Sequence, residues 1–438
     1  MTTDLAFERT LHLANQLISP VTGVLKRSLL LPLVGGQAPC AHFAAAPASY
    51  GTLPTGGDIA NPGASAWDLR QCLSQVTFEA VERYCAAFVD YSALLLSKPE
   101  GPAFDVGCAI QRFAEFQYGR SDFSYVPLRQ DSVIHWAVGR SLFTGQRRYI
   151  PASFTYLPYR PTSPDEVIGP SFSTGMSAAW TLDDACLSGL LEVVERDAFA
   201  ITWMGQLVRP RLEPRPDSEL ARRVAAVEAD GCSSVTFVDL TTDLGLPVVC
   251  AVVRRPALGR VLTTVGLSSK LCPSRACDKA LCEALSDHER LRTELADPRR
   301  PPWTPAPDFS DVVDFEWHGR AYTDPRAQLA LDFLTSSSEV HQIDGEFAPP
   351  QAGDLVRTLR QLEEHCSDVV MVDLTTRDMH ELGLVVVKIF VPELVPLNAD
   401  HRYPYLGHRR LHTHGGQRPD GTQEQLLTHL NSYPHPFS

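Results

Sequence analysis

Two short stretches decide how this chain reads: LLEVVERDA, residues 190–198, and FEAVERYCA, residues 78–86. Each writes Glu-x-x-Glu-Arg into a largely apolar run. On an α-helix, positions i, i+3 and i+4 share a face, so Glu192, Glu195 and Arg196 project together, and so do Glu79, Glu82 and Arg83. Either motif alone has a bland explanation, because Glu79 with Arg83 and Glu192 with Arg196 are ordinary i,i+4 surface pairs worth roughly 0.2–0.5 kcal/mol. Repetition on two helices that each keep an apolar stripe weakens that explanation without displacing it, and sets beside it a second: one element used on two sides of one site.

The flanking residues make both stretches helical. LRQCLSQVTFEAVERYCAAF, 69–88, places Leu73, Val76, Ala80, Val81, Tyr84 and Phe88 at helical spacing. TLDDACLSGLLEVVERDAFAITWM, 181–204, opens on Thr181 as a cap and keeps Leu187, Leu190, Leu191, Val194 and Ala198 on one face. A third helix is predicted over SRACDKALCEALSDHERLRTEL, 274–295, ending before the proline-rich PRRPPWTPAP, which reads as an exposed linker. Between these helices, SVTFVDLTTDLGLPVVCAVVRR (234–255) and DVVMVDLTTRDMHELGLVVVKIFVP (368–392) repeat one pattern: strand, Asp-Leu-Thr-Thr turn, Leu-Gly-Leu, strand. Duplicated helices and duplicated hairpins predict an α/β fold with sheets covered by helices. Residues 35–65, rich in Gly, Pro, Ala and Ser, read as a loop, which divides a segment 1–59 from a main domain 60–438.

Composition narrows the function. A net charge of −13 over 438 residues gives no basic footprint for nucleic acid or an anionic membrane. The 11 cysteines are scattered without a Cys-x-x-Cys pair, which predicts reduced thiols and a cytoplasmic protein rather than a disulfide framework or tetrathiolate zinc site. No apolar run approaches the ~20 residues of a membrane span. Gly-x-x-x-x-Gly-Lys-Ser/Thr, Gly-x-Ser-x-Gly and His-Glu-x-x-His are all absent, and five lysines leave few candidates for a lysine-based phosphate cradle. The histidines of HRYPYLGHRRLHTHGG lie among turn residues and are expected in a mobile surface loop. Four carboxylates converging from two helices would repel one another unless a cation intervened. Hard oxygen donors suit Mg2+ that also holds phosphates, to which the arginines could donate paired hydrogen bonds.

The run SFSTGMSAAWTLDDACLSGLLEVVERDA resembles the signature segment of the YcaO family, FEAVERY its first Glu-x-x-Glu-Arg helix, KALCEAL its third motif and YPHPFS its proline-rich tail. The resemblance implies a YcaO-like α/β fold around a nucleotide site that takes ATP and Mg2+ and activates backbone amides. It assigns Glu79, Glu82, Glu192, Glu195 and Glu283 to the metal, and Arg83, Ser177, Asp184, Arg196 and Lys279 to the nucleotide. It gives the tail residues Pro434, Pro436 and Ser438 a role in catalysis. Asp184 stands where the family usually has Glu, Lys279 where it has Arg, Gln75 where it has Ser and Trp180 where it has Asn. No Gly-Lys-Gly precedes the first helix.

The activity implied is that of an azoline-forming cyclodehydratase subunit acting on Cys, and on Ser or Thr, of a ribosomal precursor peptide. A separate ubiquitin-activating-like protein would bind the leader peptide, a flavin-dependent azoline dehydrogenase would oxidise the product, and a homodimer is a further expectation. Thioamidation, macroamidine formation and a non-catalytic scaffold role are the alternatives.

Overall fold

The computed structural model describes residues 3–21, 23–30, 40–48, 62–110, 112–343, 347–413 and 430–437. The long helices begin at residues suited to their first turns. After α1 (Thr3–Leu17), α2 (Leu69–Ala87) is capped by Asp68, which accepts the Arg70 N–H at 2.8 Å. The Thr181 hydroxyl caps α3 (Leu182–Met204) by accepting the Asp184 N–H at 3.2 Å. Pro273 opens α4 (Pro273–Ala296), a position where its missing N–H costs nothing.

Three sheets separate these helices. The first is antiparallel, in the order β1 (Leu25–Leu30), β2 (Ala41–Pro47), β3 (Gly63–Ala66). The second runs β4 (Leu95–Ser97), β5 (Ile134–Ser141), β13 (Val370–Asp373), β14 (Val385–Phe390), β7 (Met176–Ala179), with β6 (Arg147–Pro151) also paired to β5. The third runs β11 (Arg260–Ser269), β10 (Val248–Ala257), β9 (Ser234–Asp239), β8 (Arg211–Pro214), β12 (Val340–Ile343), parallel between β8 and β12.

The two sequence repeats occupy equivalent places in different sheets, β9–β10 in one and β13–β14 in the other. In each, the aspartate ending the first strand accepts the N–H of the second Leu-Thr-Thr residue, Asp239 from Thr241 and Asp373 from Thr375, both at 2.9 Å.

Period-2 alternation explains how these central strands are buried on both faces. Val248, Cys250 and Val252 join the core that contains α3, whereas Val249, Ala251 and Val253 join the core that contains α4. Val387 and Ile389 of β14 face α3, and Val386 and Phe390 face the core shared with Val81 and Cys85 of α2. Helix α2 packs on β2 and β3 as well as β7, α3 on β7, β14, β10 and β11, and α4 on β10, β11 and β3. Three helices and three sheets therefore alternate in a closed ring.

Two segments depart from expectation. The alanine-rich stretch read as a loop over 35–65 contains β2 and β3, and Ala41, Ala45, Ala64 and Ala66 pack on Cys72, Val76 and Ala80. Small side chains that look like linker composition serve here for close approach to α2. The histidine-bearing segment is packed as far as Thr413: Tyr403, Tyr405, Leu406, His408, Arg410 and Leu411 are buried. Arg410 forms ion pairs with Asp197 and Asp243, each as close as 2.8 Å. The proline-rich linker is largely exposed, as expected, and is tied down at Trp303, whose ring lies 4.6 Å from that of Trp317 and whose Nε1–H donates to Asp311 at 3.0 Å. Among the described residues no helix is long and apolar enough to cross a membrane. None of the eleven cysteines is bridged.

Candidate functional site

The ring of helices turns its charged faces inward, and each Glu-x-x-Glu-Arg carboxylate is anchored by one backbone N–H. Glu79 accepts from Gly63 at 3.3 Å, at the start of β3, and Glu192 accepts from Gly175 at 3.1 Å, just before β7. Glu82 accepts from Ala178 of β7 at 3.1 Å, and Glu195 from Ser269, the last residue of β11, at 2.9 Å. The first glutamate of each motif thus meets a glycine N–H at or just before the start of a strand, and the second meets a strand residue.

Gly175 has a left-handed φ of +85°, and a Cβ there would lie 2.4 Å from the Ile389 carbonyl. Only glycine lets this turn bring its N–H to Glu192 while the backbone passes so close to β14. Gly189 performs the complementary task on α3, where a Cβ would stand 2.6 Å from the Gly175 carbonyl.

The remaining oxygens face cations. Arg83 approaches Glu79 at 3.6 Å, Arg196 approaches Glu192 at 3.7 Å and Glu195 at 3.6 Å, and Lys279 approaches Glu283 at 3.2 Å. Burial is the main reason that Glu82 is pushed up to about 8; the charges of Glu79 and Glu192 add to it, against Arg83 and the Ala178 N–H. Burial likewise lifts Glu195 to about 7, with Glu283 and Glu192 adding to the shift and Arg196 and Lys270 opposing it. Glu79 is also raised, mainly by burial, against Arg83, the Gly63 N–H and Lys279. Burial alone would lower Arg196, but Glu195, Glu192 and Glu283 together raise it.

These shared interactions bring together Glu79, Glu82 and Arg83 from α2, Glu192, Glu195 and Arg196 from α3, and Lys279 and Glu283 from α4. Ser177 is buried on β7, on the opposite face from Met176 and Ala178. Asp184 lies apart: it is exposed in the first turn of α3, two turns before Glu192, and accepts the Thr181 hydroxyl at 2.6 Å. In the tail, Pro434 and Pro436 are buried, and Ser438 lies outside the described residues.

The tail is clamped along its length. The Trp203 Nε1–H donates to the Tyr433 carbonyl at 3.2 Å and the Tyr322 hydroxyl to the Pro434 carbonyl at 2.5 Å. His318 Nδ1 meets the His435 carbonyl at 2.9 Å, and the two imidazoles stack at 3.7 Å.

Lysines absent from the sequence-based assignment also join the site. Lys270 immediately follows β11 and interacts electrostatically with Glu195, Glu283 and Glu192; Lys388 of β14 does so with Glu192 and Arg83. With Lys279, three of the chain's five lysines gather here. That scarcity was a usable signal, but only the fold shows where they meet.

The donor set fits a divalent cation carried by a nucleotide. Among the described residues no three His, Cys, Asp or Glu side chains stand close enough to hold a metal unaided. Mg2+ commonly takes one or two carboxylates and completes its shell with phosphates and water, so this spread of carboxylates around arginines and lysines suits a shared metal and polyphosphate.

The sequence profile described as YcaO cyclodehydratase, ATP- and Mg2+-binding, matches residues 68–395. The chain belongs to the YcaO family. ATP and Mg2+ are thus the ligands of its family, and the carboxylate ring lies within the matched region. The YcaO chain superposes with a TM-score of 0.74 on a heterocyclase solved in complex with substrate and cofactor, at 21% identity, over 98% of this chain and 57% of the other. It therefore spans little more than half of that protein. YcaO from Methanopyrus kandleri, bound with AMPPCP and Mg2+, superposes at a TM-score of 0.62 and 20% identity, covering 90% of this chain and 92% of the other. An uncharacterized protein of Methanothermobacter thermautotrophicus is 27% identical over 278 residues, 61% of this chain and 67% of its own length.

Proposed function

We infer that this YcaO protein is the ATP-dependent cyclodehydratase subunit that forms thiazolines or oxazolines from Cys, Ser or Thr in a ribosomal precursor peptide. The observation that carries this reading is the convergence of Glu79, Glu82, Glu192, Glu195 and Glu283 with Arg83, Arg196 and Lys279 at one centre. In the reaction, a side-chain thiol or hydroxyl adds to the preceding amide carbonyl. The resulting oxyanion takes the γ-phosphoryl group of ATP, releasing ADP, and phosphate then leaves as the ring C=N bond forms.

Glu79, Glu82, Glu192, Glu195 and Glu283 would hold Mg2+, which when bound neutralises charge on the transferring group. The backbone N–H bonds to four of these carboxylates keep them oriented before substrate arrives. Arg83, Arg196 and Lys279 would receive the phosphate oxygens, Arg196 being kept cationic by its three carboxylate neighbours. Ser177 and Asp184 would contact other parts of the nucleotide, Asp184 from the exposed end of α3.

The tail would place Ser438 at the reacting amide, with Pro434 and Pro436 limiting its freedom. Delivery of the peptide would fall to a separate leader-binding protein of the ubiquitin-activating-like kind, and oxidation of the azoline to a flavin-dependent dehydrogenase. The unbridged cysteines support action in the reducing cytoplasm.

A second reading, a scaffold subunit without its own ATP turnover, is favoured by Trp180. Its ring stands where the family has Asn, under the Arg9 guanidinium at 3.7 Å and edge-on to Phe78 at 5.5 Å. One reconstitution separates the readings: the purified chain, the leader-binding protein and a precursor peptide encoded beside it, with ATP and Mg2+. Loss of one water per ring with matching ADP release supports cyclodehydration. Exchange of oxygen for sulfur identifies thioamidation, and water loss through a backbone or terminal amine identifies macroamidine formation. No ADP release identifies the scaffold.

A further inference from the structure

Beside the carboxylate ring, among the described residues, the Arg112 guanidinium has no carboxylate partner, and Lys388 lies next to it. Arg112 is 4% exposed, and neither its Nε nor its Nη1 has a hydrogen-bond partner. Its surroundings are aromatic: the guanidinium lies 4.1 Å from the Phe172 ring centroid, 4.5 Å from that of Phe154 and 5.2 Å from that of Tyr405, whose hydroxyl is its hydrogen-bond partner. Lys388 is fully buried next to it, its Nζ 4.1 Å from the same Phe172 ring and hydrogen-bonded to the Phe172 carbonyl. Among the described residues no carboxylate forms an ion pair with either side chain.

An amine can shed its proton when buried, and burial together with the charge of Arg112 moves Lys388 well below its ordinary range. A guanidinium cannot. Cation–π contacts recover only part of the hydration that Arg112 has lost.

Arg112 lines a small open cleft, with a cavity volume of about 30 Å3, together with Phe172, Thr174, Val193 and Phe390. Thr174 adjoins Gly175 and Val193 adjoins Glu192, so the cleft backs directly onto the α3 side of the carboxylate ring. We propose that this cleft is a binding site for a small oxyanion, a phosphate or a carboxylate, held by the Arg112 guanidinium. Its chemistry admits two sources: inorganic phosphate released at the neighbouring ring, or an acidic side chain or terminus of a bound peptide. The site rests on the two unpaired guanidinium nitrogens, Nε and Nη1, and on the cleft, and stands whether or not the chain turns over ATP.

The test is calorimetric titration of the nucleotide-free full-length protein with inorganic phosphate and, separately, with acetate, at constant ionic strength against chloride. Wild type is expected to bind at least one of them; preference for phosphate points to the product and preference for acetate to a peptide carboxylate. Arg112→Gln should weaken that binding about tenfold or more, the loss expected for a charge-assisted pair of hydrogen bonds. It should also raise the melting temperature of the anion-free protein, because an uncompensated charge is removed. Arg196→Gln should leave the same binding in place. If neither anion binds wild type, if affinity survives Arg112→Gln, or if it vanishes with Arg196→Gln instead, the site is overturned. Should Arg112→Gln fail to fold, Arg112→Met, an apolar side chain suited to the aromatic surroundings, carries the same measurement, and unchanged affinity in that variant overturns the proposal equally.

Discussion

The Arg196 guanidinium lies 5.7 Å from the ring centroid of Phe437, within cation–π reach. The tail of the chain is thereby brought against the same arginine that faces Glu192 and Glu195. Phe437 also meets Phe199 edge-on at 4.7 Å, so its position is secured by α3 itself.

This contact lets the structural part of the tail be tested apart from the catalytic role proposed for its end. Phe437→Ala removes a buried aromatic ring and should cost about 3 kcal/mol in unfolding free energy, measured by denaturant titration. Deleting Ser438 alone should leave stability and nucleotide affinity unchanged and depress azoline formation strongly. Wild-type turnover without Ser438 would remove the catalytic assignment of the terminus.

Arg196 and Glu192 can be separated from folding in a similar way. Arg196→Gln and Glu192→Ala should each lower the rate of ADP release about a hundredfold or more, the size of effect seen when a preorganised electrostatic contact to a transition state is lost. Circular dichroism and melting should show both variants folded. Near-normal ADP release from either one would refute its role at the phosphates.

Proton linkage gives an independent check. Glu82, at about 8, and Glu195, at about 7, have folded values above the ordinary 4.5, so the folded protein holds protons there that the unfolded chain has released. Their contribution to stability is fully present below about pH 4.5 and is lost as pH rises through about 7 to 8. A bound cation needs these carboxylates ionised. Binding of Mg2+ with nucleotide should therefore release protons, and its affinity should rise from about pH 6 to pH 8. Titration in two buffers of different ionisation enthalpy reads the proton count directly. Zero release at pH 7 would mean that neither carboxylate changes its charge on binding.

Asp197 supplies a structural counterpart to its neighbour Arg196. It is fully buried, accepts the Val395 N–H at 2.9 Å and holds Arg410 at 2.8 Å, while Arg410 reaches on to Asp243. Removing one partner of a buried pair strands the other, so Asp197→Asn should lower unfolding free energy by about 3–5 kcal/mol. Arg410→Lys should recover only part of the wild-type value, because an ammonium cannot reproduce the forked contact with two carboxylates. A variant as stable as wild type in either case would show that the 401–413 segment is held by its aromatic packing alone.

The sequence by itself determined the three charged helices, their caps, the shared faces of the two Glu-x-x-Glu-Arg motifs and the repeated hairpin. All of these follow from rules acting over a few residues: the 3.6-residue turn, the capping of orphan N–H groups by Asp68 and Thr181, and the alternation of side chains along β10 and β14. Resemblance carried the fold class and the names of the carboxylates further than these local rules could.

Only the tertiary structure decided which backbone group meets which carboxylate, because Glu82 with Ala178 and Glu195 with Ser269 are contacts between residues far apart in the chain. It also brought Lys270 and Lys388 to the ring, left Asp184 exposed at a helix end, and buried the 401–413 segment that its polar, turn-rich composition had suggested was mobile. Composition records what a segment could leave in water. Whether Arg410 finds Asp197, or Arg112 is enclosed by Phe154, Phe172 and Tyr405, depends on how the sheets and helices close into a ring, and no local pattern encodes that closure.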